Sequence, residues 1–120
     1  MRNRVLVVGL DPHRVPGPWD PEPVATAVAA GMAELADAGF AAVGCWVGLD
    51  GSDDVEAVVT AALAREPWDC VLLGGGLRGG DVVLFEALVN LTRKHAPRAA
   101  IAFNERPDGL LAAVRRQLSG

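Results

Sequence analysis

Short, nearly continuous apolar runs alternate with longer segments of helical periodicity along this chain. The four apolar runs are residues 5–8, 41–47, 70–73 and 99–103. Continuous apolar runs are typical of parallel strands, because helices cover both faces of a parallel sheet. A segment long enough for a helix follows each run, and this β-α-β-α-β-α-β-α order predicts an α/β fold.

The segments between the runs carry signals for the beginnings and ends of helices. The first helix is expected to begin at Asp20 and Pro21, where Asp20 can cap it, and to stop at Gly39. Gly31 in its middle predicts close packing on the sheet. The other helices are expected after residue 53 and before residue 67, from 81 to about 95, and from about 107 to 118.

The connection between two parallel strands of one sheet is almost always right-handed, and helices must cover both faces of the sheet. We therefore expect one domain over residues 1–120, with a doubly wound, four-stranded parallel sheet of flavodoxin-like type, strand order 2-1-3-4 and helices on both faces. In this order the loops after strands 1 and 3 part and leave a crevice at the carboxyl ends of the strands. The proline-rich segment 12–21 is expected to form a rigid, extended loop beside that crevice.

The chain is mildly acidic, with Lys+Arg 11 against Asp+Glu 15 and a formal net charge of -4 at pH 7. Without a cationic field, neither nucleic acid nor an anionic membrane surface is an expected partner. No apolar run approaches the roughly 18 residues that a membrane-spanning helix needs. The apolar stretch near the N-terminus is too short for a signal peptide.

The two cysteines, Cys45 and Cys70, each lie in an apolar run and are too few for a disulfide framework. This pattern predicts a reducing compartment and a cytoplasmic location. The chain has only 2 histidines and no Cys-x-x-Cys pair, so neither a metal site nor a cofactor is expected.

From Trp68 the chain reads Trp-Asp-Cys-Val-Leu-Leu-Gly-Gly-Gly-Leu-Arg-Gly-Gly-Asp, followed by an apolar helix and His-Ala-Pro-Arg-Ala-Ala-Ile-Ala. Over roughly a third of the chain this pattern resembles the middle of a response-regulator receiver domain, in spacing more than in chemistry. The resemblance implies that Gly74 or Gly75 stands where a receiver carries its phosphorylated Asp. It also implies that Asn104 replaces the hydroxyl residue and that Asp11 alone replaces the acidic pair. A degenerate receiver-like module, without phosphorylation, is what the resemblance implies.

Asp11-Pro-His13 is also similar to the first half of the Asp-x-His-x-x-Gly motif of cobalamin-binding domains, which share this architecture. The glycine is displaced by one position to Gly17, with Pro16 in its place. The Ser and Gly-Gly elements that these domains carry after later strands are absent. A neutral imidazole can bind cobalt, but these departures leave the cofactor unsupported.

Five glycines surround Leu77 and Arg78 in segment 74–80, between the third run and the third helix. Glycines allow backbone N–H groups to converge on a ligand, and an arginine can clamp a carboxylate or phosphate with two hydrogen bonds. The alternative is a loop that needs positive φ and close packing, with a solvated arginine. The predicted ligand-binding residues are Gly74, Gly75, Gly76, Arg78 and Asn104.

Polar candidates follow the first and fourth runs. Asp11 could orient His13 for proton transfer. Alternatively, Asp11 and Pro12 only begin a turn, and His13 is an ordinary surface residue. Asn104 could donate to a ligand oxygen, or it could help to cap the last helix.

The third helix has an apolar surface broader than the stripe of about 100° that covers a sheet. Leu84, Leu88 and Leu91 belong to this surface. A homodimer that forms through this helix or through the edge of strand 4 would bury the apolar surface that the sheet leaves uncovered. Alternatively, the fourth helix covers the surplus within one chain.

These features predict a non-catalytic binding or interaction module with a small anionic ligand at the carboxyl ends of strands 1, 3 and 4. The alternative is a small enzyme that uses His13 as acid and base, with Arg78 and the glycine segment stabilising an oxyanion or phosphate. The lack of a nucleophile in a Gly-x-Ser-x-Gly elbow favours the binding module.

Overall fold

A computed structural model describes residues 3–118 of the chain. The described strands are β1 (Arg4–Leu10), β2 (Ala41–Val47), β3 (Cys70–Leu73) and β4 (Ala100–Phe103). The described α-helices are α1 (Glu22–Asp37), α2 (Val55–Ala64), α3 (Gly75–Arg78), α4 (Val82–His95) and α5 (Leu110–Leu118). A 3-10 helix at Pro12–Arg14 follows β1.

The four strands form one parallel sheet in the order β2-β1-β3-β4, which confirms the predicted fold class and strand order. β1 pairs with β2 from Arg4↔Ala41 to Leu10↔Val47. On its other side β1 pairs with β3 from Val5↔Cys70 to Val8↔Leu73. β1 therefore lies at the centre of the sheet and separates the strands that carry the two cysteines.

Side chains alternate between the two faces of the sheet, as the period of a strand requires. On β1, Val5 and Val7 belong to the core beneath α1 and α5, whereas Leu6 and Val8 belong to the core beneath α2 and α4. We call these two sides the α1/α5 face and the α2/α4 face. Because both faces are covered, the strands read as continuous apolar runs.

Local signals set most of the helix beginnings. Asp81 accepts hydrogen bonds from the backbone N–H groups of the first turn of α4, as expected of a capping carboxylate. Asp54 caps α2 by accepting the backbone N–H of Ala57. The neighbouring Asp53 accepts hydrogen bonds from Gly48 and Arg14 instead. Asp20 accepts from the N–H of Glu22, so it supports the first turn of α1 from one residue before the N-cap Pro21.

The glycine segment 74–80 does not need positive φ, so that part of the alternative prediction is wrong. The glycines with positive φ are Gly17, Gly39 and Gly51. Residues 75–78 instead form the helical turn α3, which the sequence analysis did not predict. Its buried Leu77 packs into the core of the α2/α4 face, which supplies the free energy that a glycine-rich turn lacks by itself.

Gly31 does pack closely, but against a helix and not against the sheet as predicted. A Cβ added at Gly31 would lie 2.9 Å from Cγ of Leu110 on α5. The missing side chain lets α1 and α5 approach each other on the same face of the sheet.

The third predicted helix is α4, and its broad apolar surface is covered by α2. Leu88 is fully buried in one core with Val59 and Leu63 of α2. The expectation that the last helix covers this surplus is wrong, because α5 lies on the opposite face. Exposed apolar side chains remain at the start of α4, where Val82 and Val83 are 65% and 69% exposed. A homodimer through α4 or the β4 edge stays a prediction.

Within residues 3–118, no helix combines the length and apolar character required to cross a membrane.

We expect Gly31→Ala to lower the free energy of unfolding by about 1 kcal/mol. Alanine favours a helix interior by about 0.5–1 kcal/mol over glycine, but overpacking a buried contact costs about 1–3 kcal/mol. Urea unfolding measures the net change. In a Leu110→Ala background the close contact is gone, so the same substitution should be stabilising. Destabilisation of equal size in both backgrounds would contradict this contact.

Candidate functional site

A cavity of about 400 Å³ lies at the carboxyl ends of β1, β3 and β4, on the α1/α5 face of the sheet. Its volume is in the range of small-molecule sites in proteins. Apolar side chains from both helices of that face line it, including Val24, Val28 and Leu110. The cavity occupies the predicted crevice, where the chain leaves β1 and β3 toward opposite faces of the sheet.

Trp46 of β2 lines the cavity, and two glycines make room for its ring. A Cβ added at Gly44 would lie 2.5 Å from Trp46 Cε2, and one added at Gly9 would lie 2.9 Å from Trp46 Cζ3. The indole therefore lies directly against the backbone of β1 and β2. Any side chain at either glycine would clash with the ring. Glycine inside a strand is the sequence signal for such a close approach, but Trp46 was not among the predicted site residues.

Gly74 and the turn α3 form the wall of the cavity beside β1. The N–H of Gly74 donates to the carbonyl of Val8 at 2.8 Å. Added Cβ atoms would lie 3.2 Å from that carbonyl oxygen at Gly74 and 3.0 Å from Leu10 Cδ1 at Gly76. The small residues thus allow α3 to sit against the end of β1.

Asn104 follows β4 and lines the cavity with a side chain that is only 4% exposed. Its Nδ2 donates to the carbonyl of Arg106 at 2.7 Å, which fixes the orientation of the amide. Its Oδ1 is buried and accepts no hydrogen bond from the described residues. Asn104 does not cap α5, as one prediction suggested. The unsatisfied atom is an acceptor, whereas the other prediction gave Asn104 a donor role.

Arg78 lies at the rim of the cavity, at the end of α3. Its Nη2 donates to the carbonyl of Asn104 at 2.9 Å, and its guanidinium carbon lies 5.9 Å from the centre of the Phe103 ring. None of the ion pairs formed by residues 3–118 includes Arg78. One hydrogen bond therefore holds the guanidinium in place, and its other N–H groups can donate to an anion.

Two further charged residues line the cavity beyond Asn104. Arg106 is exposed, and its Nε lies 3.4 Å from Asp108 Oδ1. Glu105 is exposed and carries the opposite charge. Together with Arg78, these residues make the rim polar while the interior remains apolar.

The segment between β1 and α1 forms another wall. Pro12, Val15 and Trp19 line the cavity, and Trp19 Nε1 donates to the carbonyl of Val15 at 3.2 Å. Gly17 adopts φ 135°, a conformation that favours glycine. The proline-rich segment therefore lies beside the crevice as predicted, but it begins with the 3-10 turn Pro12–Arg14 and is not extended throughout.

The structure brings Gly74, Gly75, Gly76, Arg78 and Asn104 together around one cavity. Asp11 and His13 do not line this cavity. They are engaged in ion pairs with each other, with Arg14 and with Glu22 of α1.

His13 is oriented by Glu22 and not by Asp11. His13 Nε2 lies 2.8 Å from Glu22 Oε1, whereas its Nδ1 lies 3.7 Å from Asp11 Oδ1. The hydrogen bond with Glu22 raises the pKa of His13 above its usual value. Asp11 instead accepts the backbone N–H of His13 and binds Arg14. The Arg14 hydrogen bond lowers the pKa of Asp11.

Arg14 connects the loops after β1 and β2, a role that the sequence analysis missed. Its guanidinium binds Asp11 Oδ2 at 3.0 Å, Asp53 Oδ2 at 2.7 Å and the carbonyl of Trp46 at 3.1 Å. Asp53 also accepts the N–H of Gly48, and this bond is the main reason that the pKa of Asp53 is lowered. The signal available in the sequence was the i, i+3 spacing of Asp11 and Arg14, which reveals nothing about the second loop.

No protein-family model, no curated protein and no solved structure matches this chain. The receiver-like and cobalamin-binding resemblances therefore stay predictions. Within residues 3–118, no three His, Cys, Asp or Glu side chains are grouped so that they could hold a metal ion. The functional conclusion depends on the geometry of the cavity.

We expect Glu22→Gln to lower the pKa of His13 toward the ordinary imidazole value of about 6.5. Because the pKa of His13 is raised in the folded chain, the ion pair stabilises the fold fully below the ordinary pKa. That contribution is lost as the pH rises through the raised pKa. NMR titration of the imidazole measures both values. Glu34→Gln, further along α1, is the control and should leave the titration unchanged; an unchanged His13 pKa in Glu22→Gln would contradict the pairing.

We expect Arg14→Met to shift the urea midpoint of unfolding to a lower concentration, because a charged hydrogen-bond network is lost at a partly exposed site. Urea unfolding provides the measurement. Arg98→Met, at an exposed position before β4, is the matched control and should change stability by less than about 0.5 kcal/mol. Equal losses in both variants would show that Arg14 does not hold the two loops together.

Proposed function

We propose that this chain is a non-catalytic binding module that takes a small anionic molecule into the cavity at the carboxyl ends of β1, β3 and β4. The observation that carries the proposal is the pairing of Arg78 with Asn104 in the wall of one cavity. Arg78 has no carboxylate partner among the described residues, and Asn104 presents a buried, unsatisfied oxygen. Perturbed or unsatisfied polar groups in an apolar pocket are typical of ligand sites.

The charge at the rim supports an anionic ligand. Arg78 is held by the carbonyl of Asn104 and by the ring of Phe103, so little side-chain entropy remains to be lost on binding. A planar guanidinium held in this way suits a carboxylate or phosphate. Glu105 at the same rim repels an anion placed beside it, so we expect the anionic group to lie at Arg78 and away from Glu105.

The alternative enzyme has less support. A general acid or base must lie within hydrogen-bond reach of the reacting group, and His13 does not line the cavity. Its imidazole is bound by Glu22 of α1 instead. The cavity therefore offers binding groups from Arg78 and Asn104 without a neighbouring histidine.

The receiver-like resemblance is compatible with this proposal. The cavity occupies the carboxyl end of the sheet, and Gly74 follows β3 without a side chain that could be phosphorylated. We infer a receiver-like scaffold whose crevice binds a ligand. We also infer a reducing compartment, the cytoplasm, because two cysteines in apolar strands are too few for a disulfide framework.

Thermal unfolding in the presence of inorganic phosphate or 3-phenylpropionate tests the proposal. With wild-type protein at constant ionic strength, the unfolding midpoint should rise with the logarithm of probe concentration once the probe exceeds its Kd. Arg78→Ala should weaken binding by about tenfold or more, because it removes a charge-assisted contact.

Arg93→Ala is the control, since Arg93 is exposed on α4 and does not line the cavity. It should retain the wild-type response. The proposed function fails if neither probe shifts the midpoint beyond a sodium chloride control. It also fails if Arg78→Ala responds as strongly as the wild type.

A further inference from the structure

Asn104 lines the cavity, and its buried Oδ1 has no hydrogen-bond donor among the described residues. Nδ2 of Asn104 faces the carbonyl of Arg106, which can only accept, so the amide cannot be reversed without losing that 2.7 Å bond. Oδ1 is therefore the atom that remains buried without a partner. A buried acceptor without a donor is costly, and a ligand that supplies a donor recovers that free energy.

The acceptor Oδ1 of Asn104 and the cation Arg78 lie near the same small volume. The position that a Cβ of Gly75 would occupy lies 3.7 Å from Arg78 Nη2 and 4.0 Å from Asn104 Oδ1. Because Gly75 has no side chain, a methyl-sized position beside these groups is not filled by the chain. A ligand head near this position would meet a cation at Arg78 and an acceptor at Asn104.

The remainder of the cavity suits an apolar group. Trp46, Val28, Leu72 and Leu110 line its interior, and the total volume of about 400 Å³ exceeds what a single acidic head needs. An apolar body on the ligand would displace water from these side chains, which is favourable.

Given the proposed function, on which this inference rests, we propose that the ligand is an apolar 2-hydroxycarboxylate. Its carboxylate binds Arg78, its hydroxyl donates to Oδ1 of Asn104, and its aromatic or branched body packs against Trp46. The carboxylate and the hydroxyl lie on adjacent carbons, which matches a cation and an acceptor that lie near one volume.

Titration with the two enantiomers of 3-phenyllactate and with 3-phenylpropionate, which lacks only the hydroxyl, tests the assignment. Wild-type protein should bind the better enantiomer of 3-phenyllactate about tenfold more tightly than 3-phenylpropionate, because the hydroxyl satisfies a buried acceptor. Calorimetry or NMR shift titration measures both constants. In Asn104→Leu the ratio should fall to about one, since the acceptor is gone.

Gly75→Ala provides a second variant in case Asn104→Leu does not fold. Its added Cβ would meet neighbours at ordinary contact distances and Gly75 has no positive φ, so the fold should tolerate it. The methyl group would occupy the space for the ligand head and should weaken 3-phenyllactate by about tenfold or more. Gly79→Ala, in the same turn but outside the cavity lining, should change binding by less than about twofold.

Equal affinity of wild-type protein for 3-phenyllactate and 3-phenylpropionate would overturn the 2-hydroxycarboxylate assignment. The proposed function would survive that result if the binding of 3-phenylpropionate still depends on Arg78. Equal effects of Gly75→Ala and Gly79→Ala would also overturn the assignment. If neither compound binds the wild type, the 2-hydroxycarboxylate assignment fails, and the response to inorganic phosphate decides whether the proposed function fails with it.

Discussion

Strand β1 is hydrogen-bonded to a parallel neighbour on each side and is buried on both faces, and the position of the cavity follows from this arrangement. All strands run in the same direction, so the segments that follow them leave the sheet at one edge. The chain passes from β1 to α1 on one face and from β3 through α3 to α4 on the other. Because adjacent strands lead to opposite faces, their loops part and a crevice opens between them.

Two polar clusters flank this crevice, and they differ in how completely their hydrogen bonds are satisfied. Around Arg14, the carboxylates of Asp11 and Asp53 and a carbonyl of β2 all have partners. Around Asn104, the amide N–H is bonded but Oδ1 is not, and Arg78 keeps N–H groups available. Since buried polar groups are almost always paired in folded proteins, the first cluster is suited to stabilise loops and the second to bind a ligand.

Several features of the site could be predicted from the sequence because they depend on position along the chain. Asn104 and the glycine segment directly follow predicted strands, and parallel strands bring such residues to one edge. The pairing of Asp11 with His13 could not be assigned in this way, because Glu22 belongs to another element and competes for the imidazole. The prediction that Gly31 packs on the sheet was wrong for a similar reason. A glycine in a helix indicates a close contact, but it does not show whether the sheet or another helix makes that contact.

The sequence by itself determined the alternation of strands and helices, the parallel sheet and the edge at which a site would form, because these follow from periodicity, capping residues and crossover handedness. Tertiary structure alone decided which side chains share the cavity and which atom there lacks a partner. Hydrogen-bond satisfaction depends on distances and angles between residues far apart in the chain, as between Arg78 and Asn104 or Arg14 and Asp53. Those distances are set only when both cores have packed.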